Sequence, residues 1–162
     1  MRAGSSPPLR RIEASRMFDS SSHKATKPQR FDSVRLEELA KIAVDCGYQL
    51  HRAYGPGLLE SAYEMLFCAE LKARCLRYDC QLTVPVSHRG VLIENAFRAD
   101  ILVEHCLLIE LKSTETHSPV HAKQLLTYLR LMKLPLGLLI NLGTASYKDG
   151  VRRIANDYFA SR

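Results

Sequence analysis

The stretch that decides the fold is FRADILV at residues 97–103, followed after a short polar break by LLIELK at residues 107–112. Side chains of a β-strand alternate between the faces of a sheet, so Glu110 and Lys112 point to one face and their apolar neighbours to the other. If the chain reverses at His105, antiparallel pairing sets Asp100 opposite Glu110, because the two are equally far from the turn. The stretch therefore predicts a β-hairpin with ionisable groups gathered on one face.

Two facing carboxylates destabilise a strand pair unless something neutralises their charge. A divalent cation is the simplest neutraliser, and Lys112 beside the carboxylates indicates chemistry on a phosphate. The alternative is a surface ion pair between Glu110 and Lys112 on an edge strand. Such a pair would contribute at most about 1 kcal/mol and would give no reason for Asp100 on the opposite strand. The hairpin thus favours a metal site.

Two helices precede the hairpin in the sequence. An apolar stripe at helical spacing runs from Val34 to Leu50 and predicts a helix that ends near Tyr54. The Gly-Pro-Gly at residues 55–57 breaks this helix, and a second one is expected from about residue 58 to residue 74. These segments predict a helical hairpin.

The remaining elements complete an α/β sandwich with a mixed central sheet. Residues 136–142 form a continuous apolar run, which indicates a strand buried on both faces. The other expected elements are strands at 81–88 and 91–93, joined through a turn, strands at 96–103 and 107–113, a helix from Ser118-Pro119 to Met132, and a closing helix at 148–159.

Charge is concentrated near the start of the chain. Seven basic and two acidic residues give residues 1–30 a charge of +5 out of a total of +6, so the rest is nearly neutral. We expect residues 1–32 to be a basic, disordered extension and residues 33–162 to be the folded domain. An organelle-targeting segment or a DNA-contacting arm are the alternatives for the extension.

Cysteine and hydrophobic patterns exclude several classes of protein. The five cysteines are odd in number and contain no Cys-x-x-Cys, so they suggest neither a zinc ribbon nor a disulfide framework. We expect them to be reduced and mostly buried. No apolar run reaches the roughly 18 to 20 residues that a membrane span needs. A cytoplasmic protein without membrane contact is predicted, with organelle targeting through the basic segment as the alternative.

Short motifs connect these elements to a known family. The chain carries GLLESAY at residues 57–63, FRAD at 97–100, ELK at 110–112 and QLLTY at 124–128. With these motifs it resembles the GxxExxY proteins of the PD-(D/E)xK nuclease superfamily, and the last motif is similar to a helix of the RecB-like exonuclease branch. The resemblance spans nearly all of residues 34–158. It implies a restriction-endonuclease-like α/β core, with a mixed central β-sheet flanked by helices in the order ααβββαβα.

The resemblance also implies roles for individual residues. Asp100, Glu110, the Leu111 carbonyl and Glu60 would supply oxygen ligands to Mg²⁺ or Mn²⁺, with Glu60 acting directly or through a water. Lys112 would orient or help to deprotonate the attacking water and offset charge on the phosphate. The implied reaction is metal-dependent hydrolysis of phosphodiester bonds, in DNA rather than RNA.

Further residues are expected to support this reaction. Gln124 and Tyr128 share a helix face. The resemblance implies that Gln124 would contact the metal-bound water or the substrate phosphate. Arg98 would meet a phosphate or pair with a carboxylate. His121 would line the cleft one helical turn before Gln124. Tyr63 and Tyr128 are either substrate contacts or core aromatics with a hydroxyl at the rim.

A non-catalytic function is the main alternative. The fold could serve as a nucleic-acid-binding or protein-interaction module without turnover. Tight non-specific binding normally uses several Lys or Arg contacts to phosphate, which a nearly neutral domain lacks. We therefore expect help from the basic extension, from a homodimer or from DNA-processing protein partners.

Overall fold

The computed structural model describes residues 31–156, so residues 1–30 of the extension predicted at 1–32, and residues 157–162 of the predicted domain, lie outside the described residues. Nine elements follow one another along the described chain. They are α1 (Ser33–Tyr54), α2 (Glu60–Ala73), β1 (Tyr78–His88), β2 (Val91–Val103), β3 (Leu107–Lys112), α3 (Pro119–Met132), β4 (Leu136–Asn141), α4 (Tyr147–Gly150) and β5 (Val151–Ala155). The first seven confirm the predicted order of helices and strands.

Local signals explain the bounds of α1. The Asp32 carboxylate accepts hydrogen bonds from the backbone N–H groups of Val34 and Arg35, at 3.0 and 3.3 Å, and so caps the first turn. At the other end Gly55 adopts a left-handed φ of 66° and donates its N–H to the His51 carbonyl. Glycine takes this conformation without steric cost, so the helix ends where the sequence predicts.

The sheet is mixed, as predicted. Its five strands lie in the order β1-β2-β3-β4-β5; β3 and β4 are parallel, and all other neighbours are antiparallel. Every residue of β4 is buried. The parallel pair of β3 and β4 therefore lies inside the sheet, and β3 also forms the hairpin with β2.

Helices cover both faces of the sheet. On one face α1 and α2 pack through residues such as Leu39 and Phe67 onto Ile109 of β3. On the other face Leu125 and Leu129 of α3 pack onto Leu108 and its neighbours. Since side chains alternate along a strand, Glu110 falls on the same face as Leu108, toward α3.

The end of the chain differs from the prediction. Instead of a helix over residues 148–159, α4 ends at Gly150, and β5 pairs antiparallel with β4 from Ile140↔Val151 to Leu136↔Ala155. Without β5, one edge of the buried strand β4 would expose unpaired backbone groups. Pairing at this edge outweighs the helical spacing of the apolar residues. Residues 157–159 of the predicted helix lie outside the described residues.

Two smaller expectations also change. The two predicted segments at 91–93 and 96–103 form one strand, β2, which continues the hairpin with β1 to an exposed tip. All five cysteines are free, but only Cys46 is buried, so the expectation of mostly buried thiols is wrong. Cys75 lies after the end of α2 and is exposed.

Among residues 31–156, no helix has the length and hydrophobicity to cross a membrane.

Candidate functional site

The hairpin of β2 and β3 turns where the sequence predicts. Its ladder pairs Val103 with Leu107, and Ile101 with Ile109, so the reversal is centred on His105. The ladder ends at this last pair, one position before Asp100 and Glu110. Beyond it, an Asp100 carboxylate oxygen accepts the backbone N–H of Leu111 at 2.8 Å. The carboxylate thus takes the place of a ladder hydrogen bond at the point where regular pairing ends.

Lys112 is held among oxygen atoms. Its ammonium donates to Glu110 Oε1 at 2.9 Å and to the Leu111 carbonyl at 2.8 Å, and it lies 3.5 Å from Glu60 Oε1. The predicted common face of Glu110 and Lys112 is therefore seen directly. Three of the four oxygen donors predicted for a metal surround one ammonium group.

Burial makes the charges of this cluster interact strongly. Glu110 is only 4% exposed. Its burial, and to a smaller extent the charge of Asp100, raises its pKa to about 7, although Lys112 opposes the shift. Desolvation also raises the pKa of Asp100, against the Leu111 N–H and the Lys112 charge. Burial alone would lower the pKa of Lys112, but the carboxylates of Glu110, Asp100 and Glu60 raise it. The cluster favours a bound positive charge.

The donors fit a hard divalent cation in their chemistry. Mg²⁺ and Mn²⁺ prefer carboxylate and carbonyl oxygens, which are the groups that Asp100, Glu110, Glu60 and Leu111 offer. In addition, Glu110 Oε2 is buried without a hydrogen-bond partner in the described part of the chain. In residues 31–156, however, no group of three or more His, Cys, Asp or Glu side chains is arranged to hold a metal. The Lys112 ammonium instead contacts the oxygens of Glu110, Leu111 and Glu60.

The segment before α2 brings Glu60 to the cluster. Tyr63 is fully buried, and its hydroxyl donates to the Gly55 carbonyl and accepts from the N–H groups of Gly57 and Leu58. Ser113, which directly follows β3, donates from its Oγ to the Leu58 carbonyl at 2.7 Å. Tyr63 therefore lies in the core and holds the turn from which Glu60 begins α2.

Gln124 and Tyr128 meet on one face of α3, as their spacing predicts. The Gln124 amide donates to the Tyr128 hydroxyl, and the Tyr128 ring stacks on Phe97 at a centroid distance of 3.9 Å. Burial raises the pKa of Tyr128, and the charges of Glu110 and Lys112 also act on it. The pair thus lies beside the cluster, with the amide of Gln124 engaged by its neighbour.

His121 also lies close to the cluster. Burial lowers its pKa, and the next contributions come from the charges of Lys112, which lowers it, and Glu60, which raises it. Its Nδ1 is buried and, within residues 31–156, has no hydrogen-bond partner. The predicted role of His121 in lining a substrate cleft stays a prediction.

The side of the site next to β1 contains Arg98 and two residues that the sequence analysis missed, Gln81 and Glu64. Gln81 has a left-handed φ of 53°, and its amide donates to Glu64 Oε2 at 2.6 Å. Burial and then the charge of Asp100 raise the pKa of Glu64, whereas the charge of Arg98 lowers it. Arg98 is exposed on β2. Glu64 could have been found from its spacing, because it lies one helical turn after Glu60.

Comparison with protein families gives a match over most of the chain. The sequence profile of the PD-(D/E)XK nuclease superfamily matches residues 37–154, nearly three quarters of the chain. The match includes every site residue described above. Comparisons with curated proteins and with solved structures gave no significant match. With its mixed sheet, flanking helices and cluster of acidic residues beside a lysine, the chain belongs to the PD-(D/E)XK nuclease superfamily.

Proposed function

We propose that this protein is a metal-dependent nuclease that hydrolyses phosphodiester bonds, in DNA rather than RNA. Membership of the superfamily supports a nuclease-like function in general. The observation that carries the specific proposal is the buried Glu110, which has an unpartnered oxygen and a raised pKa next to Asp100 and Lys112. Lys112 contacts only one of its two oxygens, so a further cation would stabilise this buried carboxylate.

Asp100, Glu110, Glu60 and the Leu111 carbonyl would hold Mg²⁺ or Mn²⁺. A bound divalent cation lowers the pKa of a coordinated water and polarises a phosphate. To admit it, the Lys112 ammonium has to leave the Leu111 carbonyl and the Glu110 carboxylate, to which it now donates. The long side chain of Lys112 can then reach a substrate oxygen from the same face of the sheet.

Lys112 would stabilise the charge that develops on the phosphate. The carboxylates around it raise its pKa, so it carries a proton at neutral pH and donates hydrogen bonds. Gln124 would turn its amide from Tyr128 to the attacking water or the phosphate. Arg98 is exposed and would contact the phosphate backbone, with His121 lining the cleft and Tyr63 in a supporting role.

The same proposal covers the finer family assignment. The GLLESAY and QLLTY segments support a GxxExxY protein of the RecB-like branch. The nearly neutral domain would need additional affinity for nucleic acid, from residues 1–30, a homodimer or a DNA-processing partner.

One observation favours a second function. In the described residues no set of three ligating side chains is arranged for a metal, and the Lys112 ammonium pairs with the Glu110 carboxylate. A domain in this state would bind nucleic acid or a protein without turnover. The two functions differ in whether Mg²⁺ or Mn²⁺ produces cleavage.

The test is a cleavage assay with the full chain. Labelled linear, circular and single-stranded DNA and RNA are incubated with Mg²⁺ or Mn²⁺, with EDTA as the blank. We expect Lys112→Ala to lose at least about 100-fold in rate. The matched control is Lys123→Ala, which removes an exposed lysine of α3. Equal rates for wild type and Lys112→Ala would reject the site, and no cleavage of any substrate would favour the binding function.

A further inference from the structure

A cavity of about 560 Å³ lies beside α1, at the β5 edge of the sheet. Side chains of α1, α4 and the start of β5 line it, among them Lys41, Val44, Tyr48, Tyr147 and Lys148. Its volume is in the range of small-molecule sites, which measure about 300 to 1,000 Å³. The cavity is separate from the cluster around Lys112, because β4 lies between β5 and β3, and α1 covers the face of the sheet opposite to Glu110.

Tyr147 forms a fixed wall of the cavity. Its hydroxyl donates to the Val44 carbonyl of α1 at 2.6 Å, and its ring lies against Gly47, where a side chain would collide with it. Tyr48 lies beside Tyr147, with 5.9 Å between the ring centroids and 59° between the ring planes. At this tilt the two rings do not stack, and 47% of Tyr48 is exposed. The ring of Tyr48 is thus open to a planar group in the cavity.

Two acidic side chains of α1 near the cavity are engaged by arginines. Asp45, which lines the cavity, accepts a hydrogen bond from Arg74 at 2.7 Å. Glu37, one helical turn before Lys41, accepts a hydrogen bond from Arg153 at 2.9 Å. Each arginine offsets the charge of its carboxylate, so these acids do not neutralise the lysines of the cavity.

Lys41 and Lys148 give the cavity a positive charge. Both are exposed, and within residues 31–156 neither forms a salt bridge, even with Asp149 next to Lys148. The rest of the lining includes the apolar side chains of Val44 and Val151. Two ammonium groups beside an open aromatic ring match a ligand in which a phosphate is joined to a planar base.

We propose that this cavity binds a nucleotide unit of a single-stranded nucleic acid, with the base stacked on Tyr48 and phosphates beside Lys41 and Lys148. Among the described residues, the lining contains no Asn, Gln, Ser or Thr side chain that could distinguish the edges of bases. Stacking accepts any base, so the site should bind without sequence preference. A strand is favoured over a free nucleotide because linked units bind strongly even when each makes few contacts.

Such a site would add affinity for nucleic acid to a domain that is nearly neutral. The proposal rests on the nucleic-acid-directed function proposed above, but not on cleavage. The strand would contact the protein at the β5 edge, away from the cluster around Lys112.

The test is binding of the full chain to a fluorescently labelled oligothymidylate, in EDTA to exclude metal-dependent cleavage. Tyr48→Ala should weaken binding about tenfold, whereas Tyr48→Phe, which keeps the ring, should bind like the wild type. Tyr54→Ala is the matched control, because it removes another exposed tyrosine of α1 and should leave binding unchanged. Equal binding by the wild type and Tyr48→Ala would overturn the proposal.

Lys148→Ala tests the contact with phosphate. For single strands, each phosphate contact contributes about 0.7 to the slope of the logarithm of the binding constant against the logarithm of the salt concentration. We therefore expect Lys148→Ala to reduce this slope by about 0.7. The matched control Lys72→Ala removes an exposed lysine of α2 and should keep the slope of the wild type. An unchanged slope in Lys148→Ala would also overturn the proposal.

Photocrosslinking and competition identify the bound unit. An oligonucleotide that contains 5-iodouracil should crosslink to the peptide with Tyr48, and Lys112→Ala should keep this crosslink. Free thymidine monophosphate should compete only weakly with the labelled strand. Equally strong competition would assign the cavity to free nucleotides and overturn the proposal. Binding and crosslinking without cleavage in Mg²⁺ would reject only the nuclease function, whereas cleavage with unchanged binding in Tyr48→Ala would reject only the site in the cavity.

Discussion

Replacing Glu110 by glutamine should change how stability depends on pH in the absence of metal. Burial and the charge of Asp100 raise the pKa of Glu110 from its ordinary value of 4.5 to about 7. Each pKa unit corresponds to about 1.4 kcal/mol, so ionising Glu110 in the folded protein costs about 3 kcal/mol. Glu110→Gln keeps the shape of the side chain and removes this ionisation.

Whether the free energy of unfolding rises or falls with pH follows from the number of protons bound in the folded and unfolded states. Between pH 4.5 and about pH 7 the folded protein holds a proton on Glu110 that the unfolded chain has released, so the free energy of unfolding falls as pH rises. The stabilisation is fully present below pH 4.5 and is lost as pH passes about 7. Of the total, about 2.5 kcal/mol should disappear between pH 5 and pH 8.

The assay is urea unfolding of wild type and Glu110→Gln at several pH values from 5 to 8, in EDTA. The free energy of unfolding of the wild type should fall relative to the variant by about 2.5 kcal/mol over this range. Taking the difference in free energy of unfolding between the two proteins cancels the contribution of His121. Its lowered pKa makes stability rise with pH in both. Glu94→Gln, at an exposed position of β2, is the matched control and should follow the wild type. Parallel curves for wild type and Glu110→Gln would refute the reasoning.

Three further outcomes are expected. Mg²⁺ or Mn²⁺ should raise the urea midpoint of the wild type at pH 8, and Asp100→Asn should reduce this increase, as unfolding with and without metal would measure. Tyr63→Phe removes the hydroxyl that holds residues 55–58, and should cost about 1 to 3 kcal/mol in urea unfolding and also lower the cleavage rate through Glu60. Asn141→Ala removes a buried amide that bonds both backbone groups of Thr114, and should cost about 2 kcal/mol without changing the pH slope.

The hairpin and the central strand were predictable because their signals are local. The turn at His105 sets the register of β2 and β3, and the alternation of apolar residues then decides which face Glu110 and Lys112 share. The continuous apolar run of β4 leaves burial on both faces as the simplest interpretation. In both cases the spacing of apolar residues, together with the position of one turn for the hairpin, is enough to predict the element.

The strand β5 was not predictable in the same way. Val151 and Ile154 are three residues apart, which suits a helix, and residues 152 and 153 are both exposed arginines. What decides the structure is the free edge of β4, a partner that lies ten or more residues earlier in the chain. A short segment of mixed pattern takes the conformation that its tertiary partner requires.

The β1 side of the site was missed for a related reason. Gln81 reaches Glu64 because its backbone turns left-handed, and a strand pattern gives no sign of such a turn at a glutamine. The strand pattern alone predicts a regular backbone at Gln81, so its contact with Glu64 could not be anticipated. The alternation of residues along a strand does not predict the direction of a side chain where the backbone is irregular.

The energetics of Glu110 connect the fold to its proposed function. Its carboxylate is buried, one oxygen has no partner in the described residues, and its ionisation costs about 3 kcal/mol. An apolar residue of similar size would serve the packing between β3 and α3 better, since replacing buried ionic groups by apolar ones is often neutral or stabilising. A domain that keeps an acid here gives up stability at neutral pH, and binding a cation would recover it. The thermodynamic cost of this buried carboxylate therefore supports the proposal that Glu110 binds a metal cation.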